Sequence, residues 1–198
     1  MATPKTIGSG EIHAAIARLG AAISSRHPPG KPLLILGIAN GGIELARRLA
    51  LSLSPGSKAS KSSPSPAPHA TAGVLDISFH RDDIGRHPIP KEFAPTHIPG
   101  DVQGATIILV DDVLFSGRTV KAALEELFDH GRPAKVELAV LVDRGGRLLP
   151  VAADYVGLTV TAGPDERVIV TLDSANAKQD AVSVLPRQKS KIENRKSA

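Results

Sequence analysis

The sequence predicts an α/β protein built on a doubly wound, mostly parallel sheet. Three observations carry that prediction. Two runs, Leu33-Leu34-Ile35-Leu36-Gly37-Ile38 and Thr106-Ile107-Ile108-Leu109-Val110, are apolar without alternation, as strands buried on both faces are. Each leads through a turn rich in small or polar residues into an amphipathic helix, the opening half of a right-handed crossover. Strand and helix patterns then alternate along the rest of the apolar sequence, the signature of a doubly wound sheet.

The elements follow in order. Ser9 reads as the N-cap of a helix over 9–25, because Ile12, Ile16, Leu19 and Ile23 recur at three- and four-residue spacing, and Pro28-Pro29-Gly30 stops it. After the strand at 33–38, the small residues Ala39-Asn40-Gly41-Gly42 turn the chain into a second helix through Ile43 and Ala50. Residues 52–70 are mostly Ser, Pro, Ala and Lys with little to bury, which predicts a flexible insertion. Val74 to Phe79 alternates as a strand, and 80–99 scatters prolines, histidines and charges as a long loop does. The strand at 106–110 is followed by a turn from Asp111 to Thr119 and a helix to His130. That helix places Val120, Ala123, Leu124, Leu127 and Phe128 on one face and ends at Gly131. Val136 to Val142 is a further buried strand, Asp154 to Thr159 and Val168 to Leu172 are strand candidates, and from Lys178 the chain reads as a polar tail. One domain over 9–172 and a largely disordered basic tail over 173–198 are expected.

Composition sets the outer limits. The 198 residues are 41% hydrophobic and 22% charged, enough apolar material for one well-buried domain. With no cysteine, disulfides and thiolate zinc sites are excluded, and a cytoplasmic setting fits. Only Phe79, Phe93, Phe115, Phe128 and Tyr155 are aromatic, which excludes a base-stacking platform for single-stranded nucleic acid. No apolar run approaches the ~20 residues of a bilayer span, and no signal-peptide core begins the chain, so no membrane partner is expected. There is no Walker A string, Gly8-Ser9-Gly10 lacks a preceding strand, and the seven histidines show no zinc-ligand spacing. The net charge is +4, but Arg187, Lys189, Lys191, Arg195 and Lys196 outweigh Glu193 in the last fourteen residues. The excess therefore belongs to the tail and gives no basic RNA-binding face to the domain.

The chemistry gathers after the second buried strand. Asp111 and Asp112 stand where ligands of doubly wound sheets bind, outside the carboxyl ends of the strands. Adjacent carboxylates there need hydroxyl donors, a cation or water. Ser116-Gly117-Arg118-Thr119 follows with hydroxyls and backbone N–H groups at a helix N-terminus, the ingredients of a phosphate cradle. Carboxylates for sugar hydroxyls beside a phosphate nest describe a pocket for a ribose 5-phosphate. For the pair alone, helix capping in solvent is the competing reading.

The string from Ile107 to Thr119 resembles the PRPP-binding signature of type I phosphoribosyltransferases. The similarity extends to the branch whose members attenuate pyrimidine operons and double as uracil phosphoribosyltransferases. It runs through Gly37-Ile38, Leu45 to Ala50, Leu75-Asp76-Ile77, Arg81-Asp82-Asp83, Ile98-Pro99, Gly131-Arg132-Pro133, Leu138 to Gly145, Leu149-Pro150 and Ala153 to Gly157. The resemblance implies the type I phosphoribosyltransferase fold with a flexible hood loop over 80–99. It implies transfer of ribose 5-phosphate from PRPP to uracil, giving UMP and pyrophosphate with Mg2+. By the same resemblance Asp111 and Asp112 meet the ribose hydroxyls and, directly or through water, the metal. Leu114, Phe115, Ser116, Gly117, Arg118 and Thr119 complete the PRPP site around its 5-phosphate. Ala39, Asn40, Gly41 and Gly42 form the pyrophosphate loop, Arg81 joins the two aspartates as the third catalytic residue, and Val142, Asp143, Arg144 and Gly145 meet the base. A homo-oligomer, dimer or higher, is also implied.

Two departures from the family pattern bear on function. A Lys-Thr-Arg-Gly type turn is usual where this chain has Ala39-Asn40-Gly41-Gly42, so a cation beside the pyrophosphate is missing. The RNA-binding surface of the family keeps only Arg18 and Arg147 here, with Ala17, Ala21, Asn40, Gly41, Gly146 and Leu158 at its other positions. Phosphate contacts dominate RNA affinity, which makes weakened RNA binding the expectation and the enzyme the leading reading. The alternatives are a UMP-responsive RNA-binding regulator of pyrimidine genes with weak or no catalysis, and a phosphoribosyltransferase for another base.

Overall fold

The computed structural model describes residues 5–28, 31–54, 70–82 and 95–187. Most of the expected insertion and hood loop, at 55–69 and 83–94, and the end of the expected tail, at 188–198, lie outside the described residues.

The central sheet is parallel and ordered β3-β2-β4-β5-β6, with β2 at Leu33–Ile38, β3 at Ala70–Leu75, β4 at Thr106–Leu114, β5 at Lys135–Asp143 and β6 at Tyr155–Thr159. Every residue of β2 is buried, as its unbroken apolar run demands. Its side chains divide by parity. Leu33 and Ile35 pack with helices α1 (Ser9–Arg26) and α2 (Gly42–Leu53), while Leu34, Leu36 and Ile38 pack with α3 (Arg118–Asp129). Ile108 and Val110 of β4 join the first cluster and Ile107 and Leu109 the second, so helices cover both faces and the sheet is doubly wound.

Several sequence expectations are corrected. Helix α1 begins at Ser9 itself, with extended Gly8 in the cap position and no side-chain cap bond. Strand β4 does not stop at Val110: Asp111 pairs with Val140, Val113 with Val142 and Leu114 with Asp143, so the aspartates stand on the strand and not in the turn after it. The strand expected at 74–79 is β3, ending at Leu75; Ser78 to His80 form a turn, and Ser78 N–H donates to Asp76. The polar tail expected from Lys178 is the largest miss. A 3-10 turn at Ala177–Gln179 leads into β8 (Ala181–Pro186), the middle strand of an antiparallel sheet between β1 (Lys5–Gly8) and β7 (Glu166–Thr171). Val182 and Val184 bury against α1 and the central sheet, which supplies the apolar face that six residues with Ser183 and Pro186 did not announce. This second sheet is fastened to the helices through Asp180, whose buried carboxylate accepts from Arg48 of α2 and lies 2.9 Å from the His13 ring of α1.

Candidate active site

A difference in strand length opens the site. Strands β2 and β4 pair only from Leu33 opposite Thr106 to Gly37 opposite Val110, yet β4 runs on beside β5 to Leu114. From Asp111 onward no strand among the described residues lies beside the other edge of β4. The order β3-β2-β4 also puts the topological switch between β2 and β4, where doubly wound sheets leave a crevice at the carboxyl ends. A cleft of about 970 Å³ lies there.

Asp111 and Asp112 line this cleft together with Ala39, Gly41, Phe115, Ser116, Arg118 and Thr119. Asp111 is buried and accepts the Asp112 N–H at 2.9 Å. Burial, with the neighbouring Asp112 charge second, pushes the Asp111 carboxyl well above the usual carboxylate range. Burial likewise raises Asp112, against the hydrogen bonding that favours its charged form. The turn after β2 comes close to this pair. A Cβ on Gly41 would fall 2.5 Å from the Asp112 carboxyl carbon, so only glycine leaves that carboxylate its place. Gly42 is tighter still, with a Cβ falling 1.9 Å from the Val110 carbonyl oxygen. The Ala39–Asn40 peptide is cis, and Ala39 N–H donates to the Leu75 carbonyl at 3.0 Å.

The segment from Leu114 to Thr119 curls into the first turn of α3. Gly117 adopts φ +91°, a left-handed conformation that admits glycine most readily. Arg147 holds this curl from behind. Its guanidinium donates to the carbonyls of Leu114 at 3.2 Å, Phe115 at 2.9 Å and Val151 at 3.1 Å, and to Asp143 Oδ2 at 2.6 Å. Leu148 and Leu149 N–H groups both donate to the Ser116 carbonyl at 3.0 Å.

The four residues expected at the base do not line the cleft. Val142 is fully buried; Asp143 accepts from the Gly145 N–H at 2.8 Å as well as from Arg147. Burial works to raise the Asp143 carboxyl, but Arg147 and Gly145 outweigh it and hold it low. Arg144 stacks 3.9 Å from the Phe115 ring centroid and reaches the carbonyls of Gly163 and Glu166. These residues brace the cradle. Asn40, Gly42, Leu114 and Gly117 are also absent from the lining, whereas Arg81 lines it as expected. Ile77, Asp82, Val113, Leu148 and Arg187 line the cleft without having been assigned to the site from the sequence. For Arg187 no sequence signal existed, since it follows the one strand taken for tail.

Arg147 and Arg18, the two basic residues expected from the resemblance to remain on an RNA-binding surface, both have partners within the chain. Arg147 is spent on the cradle, and Arg18 donates to the Gly157 carbonyl at 3.0 Å.

A cleft at the switch point, with paired carboxylates leading into a backbone-lined helix N-terminus, is the arrangement of a phosphoribosyl-transfer site. The family model for the phosphoribosyl transferase domain matches residues 8–174, and the chain belongs to that family. More particularly, it is similar to proteins named bifunctional protein PyrR. That of Roseiflexus sp. (strain RS-1) is 39% identical over 186 residues, covering 93% of this chain and 96% of the relative. That of Streptomyces coelicolor is 45% identical over 163 residues, covering 82% and 79%. Among solved structures, a hypoxanthine-guanine phosphoribosyltransferase from Bacillus anthracis matches with a TM-score of 0.63 at 19% identity over 91% of this chain and 96% of that one. The hypoxanthine phosphoribosyltransferase of Trypanosoma cruzi gives 0.61 at 19% over 91% and 95%. These likenesses establish the type I fold. Among the described residues no helix is long and apolar enough to cross a membrane.

Proposed function

We propose that the protein transfers the ribose 5-phosphate of PRPP to uracil, yielding UMP and pyrophosphate for pyrimidine salvage. The observation that carries this reading is the Asp111/Asp112 pair at the free edge of β4, with Asp111 buried and Asp112 half-buried, directly before a backbone cradle. A bond forms between a uracil ring nitrogen and C1 of the ribose, the C1–O bond to pyrophosphate breaks, and the nitrogen's proton leaves to solvent. Positive charge develops on the ribose ring, and the two carboxylates stand where they stabilise it while holding the ribose hydroxyls. Backbone donors from Phe115 to Thr119, with the positive end of α3 behind them, receive the 5-phosphate. Ala39 to Gly42 let the backbone approach the pyrophosphate, and Arg81 brings the cation that this turn lacks.

The donor set suits Mg2+. Two adjacent carboxylates with raised proton affinity, and no Lys, Arg or His paired with either among the described residues, offer hard oxygen ligands. When bound, the metal neutralises charge on the departing pyrophosphate. The 80–99 segment, as a hood, excludes water that otherwise hydrolyses PRPP.

The test is product formation from purified protein, Mg2+, PRPP and a panel of bases. UMP from uracil is expected; turnover only with hypoxanthine or guanine would move the protein to another base, and PRPP binding with no product from any base would refute the enzyme reading. A second reading is a UMP-responsive RNA-binding regulator of pyrimidine genes, favoured by the name bifunctional protein PyrR among the relatives. Filter binding to pyrimidine-operon leader RNA, with and without UMP, decides it. The engagement of Arg18 and Arg147 predicts weak binding that disappears at moderate salt. A homo-oligomer, dimer or higher, belongs to the same proposal and is read by light scattering.

A further inference from the structure

We propose that Glu126 is a positioning residue that aims Arg81 into the cleft by clasping both stems of the 80–99 segment to α3. The inference rests on the reading of the cleft as a PRPP site and names a residue that reading does not use.

Arg81 stands between two residues that both engage α3. On one side the His80 ring nitrogen Nε2 lies 3.2 Å from Glu126 Oε2 and 3.4 Å from Asp129 Oδ2, with Nδ1 3.8 Å from Glu125. On the other, Asp82 pairs with Arg118 at the first residue of the same helix. The returning stem ends on the same carboxylate. Thr96 Oγ1 donates to Glu126 Oε1 at 2.7 Å and accepts the Asp76 N–H at 3.0 Å, while His97 and Val74 exchange backbone hydrogen bonds at 2.8 and 2.9 Å. His130, one turn on, completes the set at 3.2 Å from Glu126 Oε1.

Glu126 thus serves as the common acceptor for the outgoing and incoming stems. Its side chain is only 15% exposed, which shields these contacts from water more than a surface pair would be. The helix that carries it is also the helix whose N-terminus forms the phosphate cradle. A single rigid element therefore sets the position of the cradle at one end and of the Arg81 stem along its length. A guanidinium contributes to anion binding only when its donors are aimed, and displacement by about 1 Å can cost a large factor in rate or affinity.

Calorimetric titration with PRPP, pyrophosphate and UMP tests this on the full chain. Glu126→Gln keeps an acceptor for Thr96 and removes the charge that faces His80 and His130. Expected are about tenfold weaker PRPP and pyrophosphate binding, unchanged UMP binding, and partial rescue by Glu126→Asp. On an Arg81→Met background, Glu126→Gln should add nothing further, because the effect runs through Arg81. Equal losses for PRPP and UMP, simple additivity with Arg81→Met, or no loss at all would each overturn the proposal. His80→Asn, which removes only one stem contact, should reproduce the non-additivity and serves if Glu126→Gln does not fold. Wild-type protein that binds PRPP but converts no base refutes the uracil reading and leaves this coupling measurable. Loss of coupling with normal wild-type turnover refutes the clasp alone, and wild-type protein that binds no PRPP overturns both.

Discussion

At Asp111 the fold holds a carboxyl where its charge is disfavoured, since burial and the adjacent Asp112 both raise its proton affinity. Such a group costs stability once pH exceeds the carboxyl's ordinary value, because the unfolded chain ionises it freely while the folded one resists. Asp111→Asn with Asp112→Asn should therefore abolish turnover and raise the melting temperature, an apparent stabilisation on the order of 1 kcal/mol that a thermal scan measures. Glu137 has the opposite sign. Although burial works against its charge, Lys135 at 2.6 Å, His27 at 2.5 Å and the Tyr155 hydroxyl at 2.8 Å bring its carboxyl down to about 2. Its contribution is complete above the ordinary carboxylate value and disappears as pH falls through about 2. Glu137→Gln should flatten the loss of stability between those limits, by on the order of 2 kcal/mol in chemical denaturation series across acid pH. The pair of aspartates was legible in the sequence because carboxylates after a buried strand need an explanation. Gly41 was legible only as a small residue, since the close approach to Asp112 is made by a turn seventy residues away.

Elements buried on both faces were the readable part of the fold. Strands β2, β4 and β5 follow from runs dominated by Leu, Ile and Val, and α3 follows from Val120, Ala123 and Leu127 on one face with Gly131 beyond it. Strand β4 was read four residues short because Asp111 and Asp112 look like a turn in sequence, whereas pairing with β5 carries the backbone on to Leu114. The residues expected at the base show the same limit of a sequence pattern. Asp143 at the end of β5 and Arg144 just beyond it brace the cradle, and nothing in the run Val142 to Gly145 specifies which way these side chains face. Arg147→Met removes five guanidinium hydrogen-bond partners from that brace. Steady-state assays should show KM for PRPP rising about tenfold or more, with RNA affinity moved little if the charge is already spent. Gly41→Ala, which puts a methyl group against the Asp112 carboxylate, should lower turnover by about a hundredfold while circular dichroism stays native.

Across the whole molecule the surprise is the second sheet. It takes β1 from the start of the described chain and β7 and β8 from its end, and Lys5 pairs opposite Val184. The positive balance of the sequence was assigned to a tail, yet Arg187, one of its cations, lines the cleft. Deleting residues 181–198 removes the middle strand of this sheet together with Val182 and Val184 from the core. The shortened chain should lose cooperative unfolding in a thermal melt, whereas a dispensable tail would leave the melt unchanged. Because β1 pairs only with β8 among the described residues, it waits until the chain has been made through β8 before it can pair. On the ribosome, the parallel sheet with its two aspartates can assemble well before the last strand emerges. A nascent chain that has not yet reached β8 would then carry the acidic half of the site without Arg187, so synthesis past that strand is what brings the two together.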